Sequence, residues 1–456
     1  MSSASASTLT LADIRPCLEG AIPAVVATCA ADGTPNVAYI SQVFYAAETR
    51  VALSFQFFNK TRENILAHPH ATVLVLHPVT AAFFRLHLRY LRTETQGPVF
   101  EGMKAQLAGI ASHSGMASVF KLLGSDIYEV EQVERVAGEA LLPAAPPRAN
   151  LLAALRRGSE RLSRCNGLDE LLNAALQTLS DFLGIEHAMV LMLDPLTQRL
   201  YTVASCGYAV SGVGSEIAVG DGVIGVAAHA RTPVRIVHMT TASLYSHAVR
   251  SRLRADAPGL PLGTDIAFPG LAEPHSQLAV PVVSAGQLLG VLFAESPKDL
   301  QFGYEDEDLL VALAGHLGAA IDLIRSSAEP ADPSQAAPPA PGVTAEQGTP
   351  LRLRRFRAND SVFIDDSYLI KGVAGAIFWK LASDHVQQGR TEFTNRELRL
   401  DPAIHLPDVT DNLEARLLLL QRRLAEHGPH LRIEKTGRGR FRLQVQRPLA
   451  LQEVAS

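Results

Sequence analysis

The chain has 456 residues, of which 47% are apolar, 19% charged and 6% aromatic, and its formal net charge is -5. Domains hold ~100–200 residues, so about three fit, each able to bury its own core. The small net charge excludes a polyanion-coating protein and a wholly disordered chain.

Cys17, Cys29, Cys165 and Cys206 are far apart and form no CxxC. This excludes a disulfide framework or a cysteine-type zinc finger and fits a reducing compartment. No run reaches the ~18 apolar residues of a membrane helix; the longest candidate, Leu309 to Ile321, is broken by His316. The N-terminus has neither the basic start nor the apolar core of a secretory signal. A soluble cytoplasmic protein is expected.

Two breaks divide the chain. LLPAAPPRAN, Leu141 to Asn150, is the shorter, and the Pro/Ala-rich stretch 326–350, without an aromatic residue, reads as an extended linker. The expected units are therefore 11–140, 150–325 and 351–447. Charge divides with them: from Leu351 onward there are 18 Lys and Arg against 13 Asp and Glu, leaving a net of -10 before it.

In the first unit a short helix precedes two strands around an Asp32-Gly33 turn, a hairpin signal because glycine tolerates positive φ. A strand from Arg50 to Phe57 leads to a short helix that Asn59 or Thr61 can cap, ending before His68-Pro69. Ala71 to Leu76 is a further strand, and the order suggests a small barrel. The phrases PAVVAT…DGTPNV and FFNKTRENILAHPHATV resemble the flavin-binding split barrel of the pyridoxamine-phosphate oxidase family over Ile22 to Pro98.

That resemblance implies an FMN site. Lys60 and Thr61 match the family's phosphate turn, with Arg62 a neighbouring cation, at a helix start where anions bind. Tyr39, Ile40, Ser41, Gln42, Val43 and Phe44 match the strand facing the isoalloxazine ring, and Ser54 and Phe55 match the next contact. Arg85 and Arg89 are weaker candidates. Oxidases of the family carry an Arg and a Lys where this chain has Tyr39 and Phe44, so vitamin oxidation is not implied. Alternatives are an empty barrel, haem or a deazaflavin; His68 and His70, flanking a proline, read as a metal or haem pair or as a surface turn. An extra helix-like insertion follows, LRTETQGPVFEGMKAQLAGIASHSGM.

The middle unit runs helix, hairpin, Gly-rich turn into a short helix, strands and a closing helix. With VGDGVIGVAA, RTPVRI, LAVPV and GVLFAES it resembles a GAF domain. Gly220, Gly222 and Gly225 shape the turn, and no Gly-Lys-Ser/Thr follows, so it is no phosphate loop. Family likeness implies either a small ligand under the variable segment His238 to His275 or an empty pocket and a dimerising helix pair. Cys206 reads as a packing residue, not an attachment point for a tetrapyrrole.

The third unit has a basic strand-like start and a helix from Gly372 to Gln388. A second helix is capped by Thr394, a third runs from Val409 to His427, and a basic hairpin turns at Thr436-Gly437. With Ile433, Thr436, Gly439, Phe441 and Leu443 in the spacing of response-regulator effector domains, it resembles a winged helix. The expected nucleic-acid contacts are Lys435, Arg438, Arg440 and Arg442 of the wing and Arg416, Arg422 and Arg423 of the third helix. The run Leu417 to Leu420 cannot be buried on one helix face at 100° per residue, so one leucine should face outward and suit a protein contact.

The fold class is thus multidomain, α/β and β: a split barrel, a GAF domain and a winged helix. No catalytic triad, metal cluster or carboxylate pair emerges. The expected function is a sensor of redox state or a small ligand that signals to DNA or a protein partner, as a homodimer. The alternative is an FMN-dependent oxidoreductase regulated by its two later domains.

Overall fold

The computed structural model describes residues 9–19, 22–40, 43–55, 60–113, 122–139, 141, 150–237, 266–327, 349–402, 404, 406 and 413–454. The first unit opens with a 3-10 helix, Arg15–Leu18. Its strands are β1 (Ala24–Cys29), β2 (Pro35–Ile40), β3 (Val43–Ala47), β4 (Arg50–Phe55), β5 (His70–Leu76), β6 (Phe83–Glu94) and β7 (Gly124–Arg135). They form one antiparallel sheet in the order β2-β1-β5-β6-β7-β4-β3. The chain reverses between β1 and β2 at Gly33 (φ 86°), as the Asp-Gly signal predicts.

Two helices belong to this unit, α1 (Lys60–Ala67) and α2 (Pro98–His113). The second is the insertion anticipated from the sequence, and it buries two faces. Phe100, Met103 and Leu107 pack on the barrel strands, while Ala105 and Ala108 join the core of the middle unit. Gly109 allows that approach: a Cβ there would meet Val234 Cγ1 at 2.7 Å.

The middle unit begins with α3 (Leu151–Leu162) and α4 (Leu168–Leu183). The strands β8 (His187–Asp194), β9 (Arg199–Cys206), β10 (Glu216–Ala218), β11 (Val234–Ile236), β12 (Ser276–Ser284) and β13 (Gln287–Ser296) form a sheet ordered β10-β9-β8-β13-β12-β11. One face packs against α3, α4 and the long closing helix α6 (Tyr304–Ser327); the other packs against α5 (Gly222–Ala230) and α2. The sheet is buried on both sides, which explains why its strands read as near-continuous apolar runs. Gly225 fits α5 against its own turn, since a Cβ there would lie 2.3 Å from the Ala218 carbonyl oxygen. By length and mean hydropathy (1.5), Tyr304–Ser326 also passes as a membrane span. In this fold its Leu310, Leu313, Ala314, Leu317 and Ile321 are core.

In the third unit β14 (Leu351–Phe356), β15 (Ser361–Ile364), β16 (Ser367–Ile370) and the terminal β20 (Leu449–Val454) form a sheet ordered β16-β15-β14-β20. Between them lie α7 (Gly372–Gln388), β17 (Glu392–Thr394), α8 (Asn395–Leu400), α9 (Leu413–His427), β18 (Leu431–Gly437) and β19 (Arg440–Val445). Gly389 ends α7 in the left-handed conformation and Thr394 caps α8, both as the sequence predicts, and Glu397 completes a capping box with Thr394. The hairpin turns two residues later than expected, at Arg438-Gly439, where Gly439 has φ 63°.

Candidate functional site

In the first unit α1 sits beside β1 and β2. Thr61 does not cap α1 but lies within it, and its Oγ1 accepts from Asn36 Nδ2 at 2.9 Å. Asn36 and the buried Asn64 both donate to Thr28 Oγ1, fixing the helix start against the hairpin. Lys60 Nζ stands at the surface, 3.3 Å from Glu63 Oε2. An exposed ammonium, a hydroxyl and a helix start form a donor set that fits a phosphate.

Arg62 departs from its expected place. Its guanidinium turns inward, paired with Asp126, donating to Thr93 Oγ1 at 2.7 Å and lying 4.4 Å from the Phe55 ring centroid. Thr93 in turn bonds Tyr90 Oη and Asp126. A cation neutralised in this way by a nearly buried carboxylate cannot also serve a surface phosphate, so Arg62 is a structural residue of the barrel wall.

The other predicted barrel residues scatter by strand parity. Val43 is core, Ile40 packs against that core, and Phe44 packs near Gly102 of α2. Tyr39 is 82% exposed on the edge strand β2. Ser54 and Phe55 are half-buried on β4; Ser41, Gln42 and Asn59 lie outside the described residues. Arg85 and Arg89 are engaged at the surface by Glu134 and Glu131. His68 and His70 are exposed, and among the described residues no group of three metal-ligating side chains occurs.

On the α5 side of the middle sheet lies a polar cluster that sequence reasoning missed. Glu295, 2% exposed, stands opposite both His187 and Gln277. Its Oε1 accepts from the Leu271 N–H at 2.7 Å and its Oε2 from Gln277 Nε2 at 3.0 Å. The His187 and Tyr208 rings meet edge-on at 5.5 Å. Burial raises the Glu295 carboxyl above its usual range, against those hydrogen bonds. A Glu inside an apolar strand phrase was the available signal. Of the segment His238 to His275, residues 238–265 lie outside the described residues.

Comparison with protein families matches a pyridoxamine 5'-phosphate oxidase model to residues 11–133 and a GAF domain model to residues 167–321. The chain carries both domains. The search of curated proteins returned no match. Among solved structures, the GAF domain of an Acinetobacter phosphoenolpyruvate-protein phosphotransferase is 21% identical, covering 38% of this chain and 94% of that one with a TM-score of 0.30. The free methionine-R-sulfoxide reductase of Neisseria meningitidis is 20% identical, covering 41% and 96% with a TM-score of 0.31. An FMN-binding protein from Syntrophomonas wolfei is 18% identical, covering 28% and 90% with a TM-score of 0.23.

The third unit presents its arginines in two ways. On the hairpin, Arg438 is exposed at the turn, Lys435 reaches beside Gly167 at the start of α4, and Arg442 pairs with Glu392 at 2.5 Å. Arg440 is half-buried on β19. On α9 the three candidates face the GAF domain or their own unit instead of solvent. Arg416, 6% exposed, pairs with Asp194 at 2.9 Å and lies 4.4 Å from the Tyr201 ring centroid. Arg422 donates to Asp169 (2.5 Å), Asn173 (2.9 Å) and the Val203 carbonyl (2.6 Å). Arg423 donates to the Leu369 carbonyl (3.0 Å) and to Glu426 (2.5 Å).

This docking also corrects the leucine expectation. Leu418, Leu419 and Leu420 are all buried and Leu417 packs against the same core. The run covers more than one face because α9 lies within one core shared by its own unit and the GAF domain. None of the four leucines of the run is exposed.

Proposed function

We propose that the chain is a cytoplasmic sensory regulator. Its split barrel holds FMN, its GAF domain takes a second signal, and its third unit, a winged helix, delivers the output to nucleic acid. The observation that carries this reading is the central place of the GAF domain between two buried ion pairs, Glu19 with Arg235 on the barrel side and Arg416 with Asp194 on the output side. A ligand that shifts the sheet acts on both contacts, because Asp194 ends β8 and Arg235 lies in β11.

In the barrel Lys60 and Thr61 would bind the phosphate of FMN, and the strands around Tyr39 to Phe44 and Ser54-Phe55 would face its ring. Bound there, FMN supplies one- or two-electron redox chemistry. The exposed Tyr39 and Val37 on the edge strand β2 support a homodimer that covers them. The buried Glu295 and Gln277 support a GAF ligand that presents hydrogen-bond donors. Arg438, Arg440 and Lys435 support phosphate contacts by the hairpin.

The deciding experiment is the absorption spectrum of the purified protein and of its heat-released supernatant. Flavin bands in both are expected. A haem band overturns the FMN assignment, and a colourless protein that binds no added FMN removes the barrel from the sensing role. Steady turnover of reduced nicotinamide with oxygen or a quinone moves the reading to an oxidoreductase.

A further inference from the structure

We infer that the face of α9 bearing Arg416 and Arg422 is a masked polyanion-binding surface, latched in this state by the GAF carboxylates Asp194 and Asp169. The inference rests on the proposed nucleic-acid role of the third unit and adds how that role is switched.

The two groups of cations differ in accessibility. Arg438 is open to solvent at the hairpin turn, whereas two of the α9 arginines end on GAF oxygens: Arg416 on Asp194, and Arg422 on Asp169, Asn173 and the Val203 carbonyl. The rim carries further links. Ser211 donates to Glu426, and Lys371 of the third unit lies 3.3 Å from Glu216 of the GAF domain. Leu419 fills the space beside Gly214. A duplex cannot reach α9 while this contact holds, because the GAF strand β9 and helix α4 occupy the same face.

The charged part of the contact is suited to exchange. Carboxylates are substitutes for phosphates: both take guanidinium groups in bidentate fashion. Leu418, Leu419 and Leu420 supply the apolar part of this contact, and the buried ion pairs add little net stability to it, so the charges set how readily it opens. Here the acidic side belongs to the portion of net charge -10 and the basic side to the portion with 18 Lys and Arg against 13 Asp and Glu. Opening the contact releases Arg416 and Arg422 together with the hairpin cations on one unit. A GAF ligand that moves β8 or α4 therefore lowers the competition from Asp194 and Asp169.

The test uses the full-length chain and a random-sequence DNA duplex. Amide exchange of 413–427 reads the latch, and fluorescence anisotropy over a salt series reads binding. The variants are Asp169→Asn with Asp194→Asn, and, because Asp194 is buried, Asp169→Lys alone, whose side chain is 58% exposed. Faster exchange of α9 is expected, with duplex affinity raised about tenfold or more at low salt and a salt slope steeper by about two phosphate contacts. Adding Arg438→Ala and Arg440→Ala should weaken every form. Unchanged α9 exchange in both variants overturns the latch. So does faster exchange with duplex binding equal to that of the unmodified chain, while a wing effect keeps the nucleic-acid reading. No duplex binding by any form at the lowest salt overturns the nucleic-acid reading itself, and the inference falls with it.

Discussion

Arg235 Nε lies 2.7 Å from Glu307 Oε2, and the same guanidinium pairs with Glu19 from the barrel unit, so one buried cation joins two domains. The neighbourhood closes the joint. Tyr304 Oη donates to the Leu18 carbonyl at 3.0 Å, and Arg15 is held between the rings of Tyr45 and Tyr304, 3.6 and 3.9 Å from their centroids. Burial works against the Arg235 charge, but Glu19 and Glu307 hold its pKa above the ordinary arginine value; burial likewise pushes the Tyr304 hydroxyl up to about 12.

Arg235→Ala leaves two carboxylates facing each other without a counter-charge. The expected cost is about 3–5 kcal/mol, the range for breaking a buried pair. Urea titration followed by circular dichroism measures it. Pairing Arg235→Met with Glu19→Gln should recover part of the loss, because the unpaired charge, not the lost attraction, dominates. If the double variant is as unstable as Arg235→Ala, the joint is held by packing alone.

Lys60→Ala with Thr61→Ala tests the phosphate turn. A hydrogen bond to a charged group contributes about 1.5–3 kcal/mol, so FMN affinity should fall roughly 10–100-fold. Lys60 is exposed and Thr61 half-buried, so the fold should tolerate both changes. Fluorescence titration with FMN reads the result, and equal affinity removes both residues from the site. Arg62→Ala behaves differently: it strands Asp126 in the wall and should lower the melting temperature more than it lowers flavin affinity.

What the sequence discloses follows the range of the interactions. The capping box at Thr394, the Gly389 stop and the Gly33 turn are local, so spacing alone fixes them. The inward turn of Arg62 depends on Asp126, more than sixty positions away, and no local pattern announces it. Arg416 looks like a surface cation on an amphipathic helix until Asp194 is brought across from another domain. The leucine run was the one visible sign of that docking, since it demanded more than one buried face. Glu295 was legible only as an anomaly in an apolar strand.

Cutting the chain within 326–350 tests how independent the third unit is. The linker was expected to separate two self-contained parts, but Leu353, Leu381, Leu413 and Leu419 belong to the same continuous core as Leu171, Val203 and Leu313. After cleavage at an engineered site the two fragments should co-elute on gel filtration in low salt. They should stay together when salt screens the rim pairs of Asp169 and Glu216, because the shared core is apolar. Immediate separation in low salt removes the latch as a stable contact.

A fall and a rise in pH should act on different parts of the GAF domain. Burial works against the Asp194 charge, yet Arg416, the Leu196 N–H and the Thr197 side chain hold its carboxyl below the usual range. Its other charged neighbour across the sheet, Arg199, is taken by Glu216. A carboxyl depressed in the folded state contributes stability above its unfolded pKa, and that contribution is lost as pH falls through the folded value. Glu295 has the opposite sign: raised by burial, it favours the fold at low pH, and the benefit is lost as pH rises through its folded value. Asp194→Asn should therefore flatten the acid limb of a stability–pH curve measured by thermal melting, and Glu295→Gln the decline that comes as pH rises through the folded value of its carboxyl. Were Asp194→Asn to flatten neither limb, Arg416 would be held at the GAF sheet by the Tyr201 ring and by packing, and the sheet's contact with the third unit would not answer to acid.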